Sequence, residues 1–233
     1  TVYMICGPPD GYVASAEDCD DDDPSVYPGA LDEPCDGVDA NCDGAGGEAI
    51  AATVEGLEYI TIQAGIDAAP YGGTVSVCPG THTEELEIGG VELTLASWSG
   101  SAEDTVLDGE GQRRILTIGG YAVVTLSDLT FQNAAPQPSY PDQSVWGGAV
   151  LSDAGDLFIE RCLFLGNEVN DAGAAVYAAQ PAADVPLHLS IVGSLFEGNR
   201  AGDGGAGVCA RSVTYPLEPV SVQVADSAFV GNW

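Results

Sequence analysis

Lysine is absent from this chain, and its five basic residues are all arginine, at positions 113, 114, 161, 200 and 211. No basic residue precedes Arg113, and 36 acidic residues set the formal net charge at -31. A field of that sign repels phosphate backbones and anionic membrane surfaces and draws in divalent cations, which argues against nucleic-acid binding. Lysine depletion fits a salt-rich habitat and a GC-rich genome equally well. Long hydrophobic runs are also missing, so nothing within the chain inserts into a membrane. The opening Thr1-Val2-Tyr3-Met4-Ile5-Cys6 has neither the basic flank nor the apolar stretch of a signal peptide, and reads as a mature or truncated start. One methionine and two histidines leave few soft or imidazole ligands.

Repetition is what the last third has in quantity. Leu129-Thr130-Phe131-Gln132-Asn133 is echoed by Leu163-Phe164-Leu165-Gly166-Asn167, Leu195-Phe196-Glu197-Gly198-Asn199 and Ala228-Phe229-Val230-Gly231-Asn232, with the Asn residues 34, 32 and 33 positions apart. A second phrase interleaves with it: Gly147-Gly148-Ala149-Val150, Gly173-Ala174-Ala175-Val176 and Gly205-Ala206-Gly207-Val208. The step from Asn167 to Val176, and from Asn199 to Val208, is 9 residues, whereas Val150 to Phe164 is 14 and Val176 to Phe196 is 20. One connection is constant and the other takes inserts, as in a stacked array with loops on one face. A unit of about 23 residues without its insert fits one coil of a parallel β-helix. Stacked coils would pile Phe on Phe. Asn would serve a sharp bend through left-handed backbone and amide bonds to its neighbours, and Gly and Ala would permit a tight corner.

These Gly-Gly-Ala-Val and Phe-x-Gly-Asn phrases, over roughly residues 129 to 233, resemble the GGA(I/L/V) and FxxN repeats of chlamydial polymorphic outer membrane proteins. That resemblance implies a right-handed parallel β-helix and an extracellular surface role. The array is expected to continue beyond Trp233 or to be covered there by a partner, since an open strand edge is a site of association.

Residues 1 to 47 form a different unit, acidic and cysteine-rich. Asp18-x-Asp20-x-Asp22 and Asp39-x-Asn41-x-Asp43-Gly44 both carry the 1, 3, 5 spacing of oxygen ligands with which a short loop holds a hard cation such as Ca²⁺. Neither completes an EF-hand, because the twelfth positions are Gly29 and Ile50; Asp23, Glu33 and Asp36 are the candidates for the remaining ligands. A charge run is ordinarily a solvated loop. A module this small, with few apolar side chains and so much like charge, scarcely folds without metal and disulfides, which favours the ligand reading. Seven cysteines in the chain suggest an oxidising compartment.

The spacing Cys6, Cys19, Cys35, Cys42, with Pro9-Asp10-Gly11-Tyr12-Val13 before and Pro28-Gly29-Ala30 between, resembles the metal-binding motif of secreted bacterial proteins such as the MopE-like surface proteins of methanotrophs. It departs from that pattern by an extra residue within Leu31-Asp32-Glu33-Pro34 and by Ala40. Copper is known in part of that family, but with no His and only Met4 in the module, calcium is the expected ion. Four cysteines allow three pairings within the module. Cys162 and Cys209 either bridge neighbouring coils or, like Cys78, are small buried hydrophobes.

Residues 48 to 56 read as a linker and 57 to 233 as the solenoid. Ile62, Ile66 and Ala69 lie at helical spacing between an N-cap Thr61 and a terminating Pro70. Strands are expected over 74–77, 86–88, 91–95, 105–107, 115–118 and 123–126. The phrase from Ile62 through Pro79-Gly80-Thr81-His82-Thr83-Glu84 is similar to the opening of pectin-lyase-like β-helices, a resemblance that implies a helix plugging the first coil. Esterases, galacturonases and lyases of that superfamily use clustered acids with a basic residue. Here Asp104, Asp108, Arg113 and Arg114 share a turn and Asp203 lies near Arg200, but isolated pairs at solenoid turns are usually solvated. His82 and His188 have no visible nucleophile or ligand partner, so no catalytic residue is assigned. The expectation is an all-β, calcium-binding, non-enzymatic protein of the outer surface of a bacterial cell, serving adhesion, scaffolding or assembly. Its partners would be a carbohydrate, another surface protein, or a second copy through an open end. The rivals are a carbohydrate-active enzyme, with its site in missing coils or near Tyr140 and Tyr215, and a fibre subunit.

Overall fold

The computed structural model describes residues 18–20, 22–44, 50–138, 145–153, 155–179, 186–212 and 220–233; beyond the acidic module the chain winds into a parallel β-solenoid. Three sheets run along it. Sheet A stacks Gly73–Val77, Glu92–Ser97, Val123–Ser127, Asp156–Glu160, Leu187–Val192 and Val220–Ala225 in parallel. Sheet B stacks Gly80–His82, Thr105–Asp108, Thr130–Gln132, Leu163–Leu165, Leu195–Glu197 and Ala228–Val230. Sheet C stacks Leu86–Gly89, Leu116–Gly119, Val150–Ser152, Val176–Ala179 and Val208–Arg211. Each coil passes through A, B and C in turn. A two-stranded pair, Glu168–Val169 with Arg200–Ala201, bridges two later coils.

The strands form because apolar residues alternate at period two, which sends every second side chain inward. Leu187, Leu189 and Ile191 are buried while His188 and Val192 are exposed. Register then does the stacking: Leu95, Leu126, Ile159, Ile191 and Val224 are successive partners on sheet A. On sheet B the predicted aromatic pile is present, with ring centroids of Phe131, Phe164, Phe196 and Phe229 spaced 4.9, 4.7 and 4.6 Å and planes within 6°. The first three rings are fully buried, and burying each contributes roughly 1.5–3 kcal/mol.

A polar ladder runs beside the rings. The Asn199 amide donates to Phe164 O at 3.0 Å and to Asn232 Oδ1 at 2.8 Å, while Asn167 donates to Phe131 O and Asn199 Oδ1 in the same way. Asn167 and Asn199 are completely buried, and these bonds spare them the penalty of unpaired burial. Asn133, read as the first member of this series, is not in it. Because Phe131 pairs with Phe164, Asn133 falls opposite Gly166 and Ala134 opposite Asn167. Left-handed backbone is accordingly taken by Asn133 (φ 53°) in the first repeat and by Gly166, Gly198 and Gly231 in the others.

Tight corners from sheet A to sheet B use one left-handed residue each, Asp128, Arg161, Gly193 and Asp226. Arg rarely tolerates that conformation. Arg161 is held there by its guanidinium, which donates to both Asp128 carboxylate oxygens at 2.7 Å and to Ser127 Oγ at 2.6 Å. The connection from B to C, constant in later coils, carries an insert of its own between Gln132 and Val150.

The predicted helix covers Ile62–Ala68, with Thr61 Oγ1 accepting from Ala64 N and the Glu84 carboxylate capping Ile62 N and Gln63 N. Ile62, Gly65 and Ile66 are its buried face, packed over the first coil in one core with Val75, Val77 and Leu86. Part of the stretch read as a linker is strand: Ala52–Val54 pairs antiparallel with both Leu57–Tyr59 and the first strand of sheet A. Its side chains are fully or nearly buried beneath the helix.

Among the described residues two disulfides form, Cys19–Cys42 and Cys35–Cys78. Pairing of Cys19, Cys35 and Cys42 is thus not confined to the module, because Cys35 crosses to the solenoid; Cys6 lies outside the described residues. Cys162 and Cys209 do not bridge coils. Cys162 faces the core, where burial pushes its thiol up to about 12, and Cys209 stands beside Tyr177 on the outside of sheet C.

Candidate metal centre

The described part of the module, residues 18–44, has no regular secondary structure and buries a single hydrophobic side chain, Val26. Backbone bonds from Tyr27 N to Ala40 O (2.8 Å) and Gly29 N to Asn41 O (3.3 Å) lay its turn across the 39–43 loop. Gly29 makes this possible at φ 89°. The Cys19–Cys42 bridge then closes that loop between Asn41 and Asp43.

This fold-back brings three carboxylates together. Oxygens of Asp32, Asp39 and Asp43 all lie within 4.8 Å of one another, with Asp32 and Asp39 half-buried and Asp43 exposed. Asp32 accepts from Ala40 N (2.6 Å), Asn41 N (3.1 Å) and Asn41 Nδ2 (3.0 Å). Asp39 accepts from Asp43 N (3.1 Å) and Gly44 N (2.9 Å), and Asn41 Oδ1 accepts from Asp43 N (2.9 Å). Each carboxylate offers about four lone-pair positions, so lone pairs remain for a cation. Like charges this close repel by roughly 1 kcal/mol per pair even at the dielectric of water, and more where solvent is excluded.

Of the residues proposed from sequence, Asp39, Asn41 and Asp43 meet here. Asp18, Asp20, Asp22 and Asp23 do not join them; they form successive turns in which Asp18 accepts from Asp20 N, Asp20 from Asp22 N and Asp23 from Ser25 N and Oγ. The Ser25 bonds hold the Asp23 carboxyl below its ordinary range. Asp36 accepts from Val38 N at 2.8 Å, and Glu33 is exposed. Asp32 was missed, because it reaches the loop from nine residues before Asn41 and belongs to no 1, 3, 5 series.

The acids and bases considered for catalysis make local contacts. Asp108 is partly buried, which by itself would raise its pKa, yet bonds from Glu110 N, Gln132 and Asn133 hold it below the usual value. Asp104 accepts from Ser99 and Thr105, Arg113 contacts Thr83 O and Glu110, and Arg114 anchors the backbone of Trp146 and Gly147. Arg200 pairs with Glu168 at 3.0 Å and lies over the Trp233 ring, and Asp203 caps Gly204 N. His82 bonds Cys78 O, and exposed His188 pairs with Asp156 at 2.8 Å. Tyr140 and Tyr215 lie outside the described residues.

Fold and site together define a parallel β-solenoid preceded by a small, disulfide-linked acidic module with a metal-binding character. Residues 18–48 match a family model for MopE copper-binding proteins, described as "Putative metal-binding motif". The match covers the module alone. No curated protein and no solved structure matches the chain. No helix among the described residues is long and apolar enough to cross a membrane.

Proposed function

We propose that this is a calcium-binding, non-enzymatic protein displayed on the outer surface of a bacterial cell, in which a cation-locked module precedes a rigid β-helix used for adhesion or scaffolding. The observation that carries the reading is the convergence of Asp32, Asp39 and Asp43 around one point. The donor set is all oxygen, from Asp32, Asp39 and Asp43, with Cys19, Cys35 and Cys42 oxidised and no His in the module. Hard oxygen donors fit Ca²⁺, whereas copper favours imidazole and sulfur, so the copper of the matched family is a poorer fit to these residues. When bound, the cation supplies charge compensation and cross-linking to a loop that has almost no core of its own. Disulfides support an oxidising compartment, and the resemblance of the Phe-x-Gly-Asn repeats to those of surface adhesins supports the surface role.

Calorimetric titration of the intact chain with Ca²⁺, Mg²⁺ and Cu²⁺ tests the metal. Calcium is expected to bind in the range of about 10 µM to 1 mM, ahead of the other two. Silence below a few millimolar, or tighter binding of Cu²⁺, contradicts the assignment. Protease shaving of intact cells tests the location, with release of the β-helix the expected result.

A further inference from the structure

The outer face of sheet C carries a second constructed site, distant in sequence from the acidic module. Leu151, Tyr177 and Cys209 stand in register on three successive strands, and Ala179 and Arg211 pair in the same way one coil apart. Just before Val150, Trp146 lies against Tyr177, with ring centroids 5.9 Å apart and planes 25° from parallel. Two features fix Trp146 and Gly147 there. Arg114, half-buried, donates to Gly147 O and Trp146 O at 2.8 Å each, and Gly147 takes φ 65° where an added Cβ would meet Leu151 at 2.8 Å. Trp146 is therefore held in place while 39% of its surface stays exposed.

Around it is a cleft of about 430 Å³ lined by Trp146, Leu151, Asp153, Tyr177, Ala179 and Arg211. That volume lies in the usual range of small-molecule sites. Asp153 and Arg211 are both exposed, and among the described residues the Asp153 carboxylate has no hydrogen-bond or ion-pair partner. Burial pushes the Tyr177 hydroxyl up, the neighbouring Arg211 guanidinium opposes that shift, and a guanidinium carries five donors. One negative and one positive group at the same opening leave the cleft without net charge, which favours an occupant that is itself uncharged. The lining suits a ligand with a flat apolar face for the indole and hydroxyls for a carboxylate acceptor and a guanidinium donor. A pyranose ring has both features: C–H groups on its faces and hydroxyls around its rim.

We infer that the Trp146–Asp153–Arg211 cleft is a binding site for neutral saccharides. It does not depend on the metal reading, and the test separates the two. Saturation-transfer NMR on the intact chain would use cello-, xylo-, manno- and laminari-oligosaccharides as probes, with oligogalacturonate and choline as charged comparators. At least one neutral probe is expected to bind with Kd below about 10 mM. Trp146→Ala should weaken it about tenfold or more, and Asp153→Asn and Arg211→Met several-fold each, with circular dichroism unchanged. Chelator should leave this binding intact, so loss of calcium binding and loss of saccharide binding report on different claims. Silence with every neutral probe, preference for a charged comparator, or binding that survives Trp146→Ala overturns the site. Neutral binding indifferent to both polar variants overturns the ligand class.

Discussion

The solenoid and the acidic module solve the same problem with opposite means. In the solenoid each coil repeats its neighbour, so Phe164 has a ring above and below and Asn199 bonds both the coil before and the coil after. No single coil needs a core of its own. The module has no such neighbours. Among its described residues it buries only Val26 of the hydrophobic side chains and is tied by two disulfides and a carboxylate cluster. Stability distributed over many equivalent contacts tolerates variation in loop length; stability concentrated in a few cross-links does not.

Substitutions on the two sides should separate these regimes. The largest effect is expected for Phe164→Ala, which removes the centre of the ring stack and should cost about 3–5 kcal/mol in chemical denaturation while leaving metal affinity unchanged. Next comes Cys35→Ser, or reduction of its bridge to Cys78. Loss of a cross-link enclosing 43 residues removes about 4 kcal/mol on a chain-entropy estimate, and it should appear as early proteolysis of the module with the solenoid still folded. If calcium binds at roughly 10 µM, raising it to about 1 mM should stabilise the module by about 2.7 kcal/mol, with Asp32→Asn and Asp39→Asn both abolishing most of that gain. Asn199→Ala leaves the Phe164 carbonyl and the Asn167 amide short of partners and should cost about 2 kcal/mol in the solenoid alone.

The smallest effect belongs to the corner formed by Asp128 and Arg161. Bonds from Arg161 hold the Asp128 carboxyl below its ordinary range. A depressed carboxylate contributes stability above its unfolded pKa of about 4 and loses it as pH falls through the lower folded value. Arg161 is largely exposed, so Asp128→Asn should cost under about 1 kcal/mol at neutral pH. The difference from wild type should vanish in acid.

The same contrast decided how far the sequence could be read. Repetition made the solenoid legible, because Phe131, Phe164, Phe196 and Phe229 advertise their register by spacing. The error at Asn133 came from matching residue type where backbone conformation was the conserved quantity: a left-handed position there accepts Asn or Gly. The strand at Ala52–Val54 was hidden because three residues, all buried and ended by Glu55-Gly56, are too few to show the period-two alternation that marks a strand. In the module the 1, 3, 5 spacing located Asp39, Asn41 and Asp43, since all three lie on one loop. Asp32 enters through a turn closed by long-range hydrogen bonds, and the Cys35–Cys78 bridge spans two units. No local spacing encodes either.

Anomalous scattering from crystals grown with calcium or a lanthanide addresses the central claim most directly. A single strong site touching Asp32, Asp39 and Asp43 oxygens at about 2.4 Å is the predicted result. An ion seated instead on the Asp18–Asp23 turns, or a module that is ordered and ion-free at millimolar calcium, would contradict it.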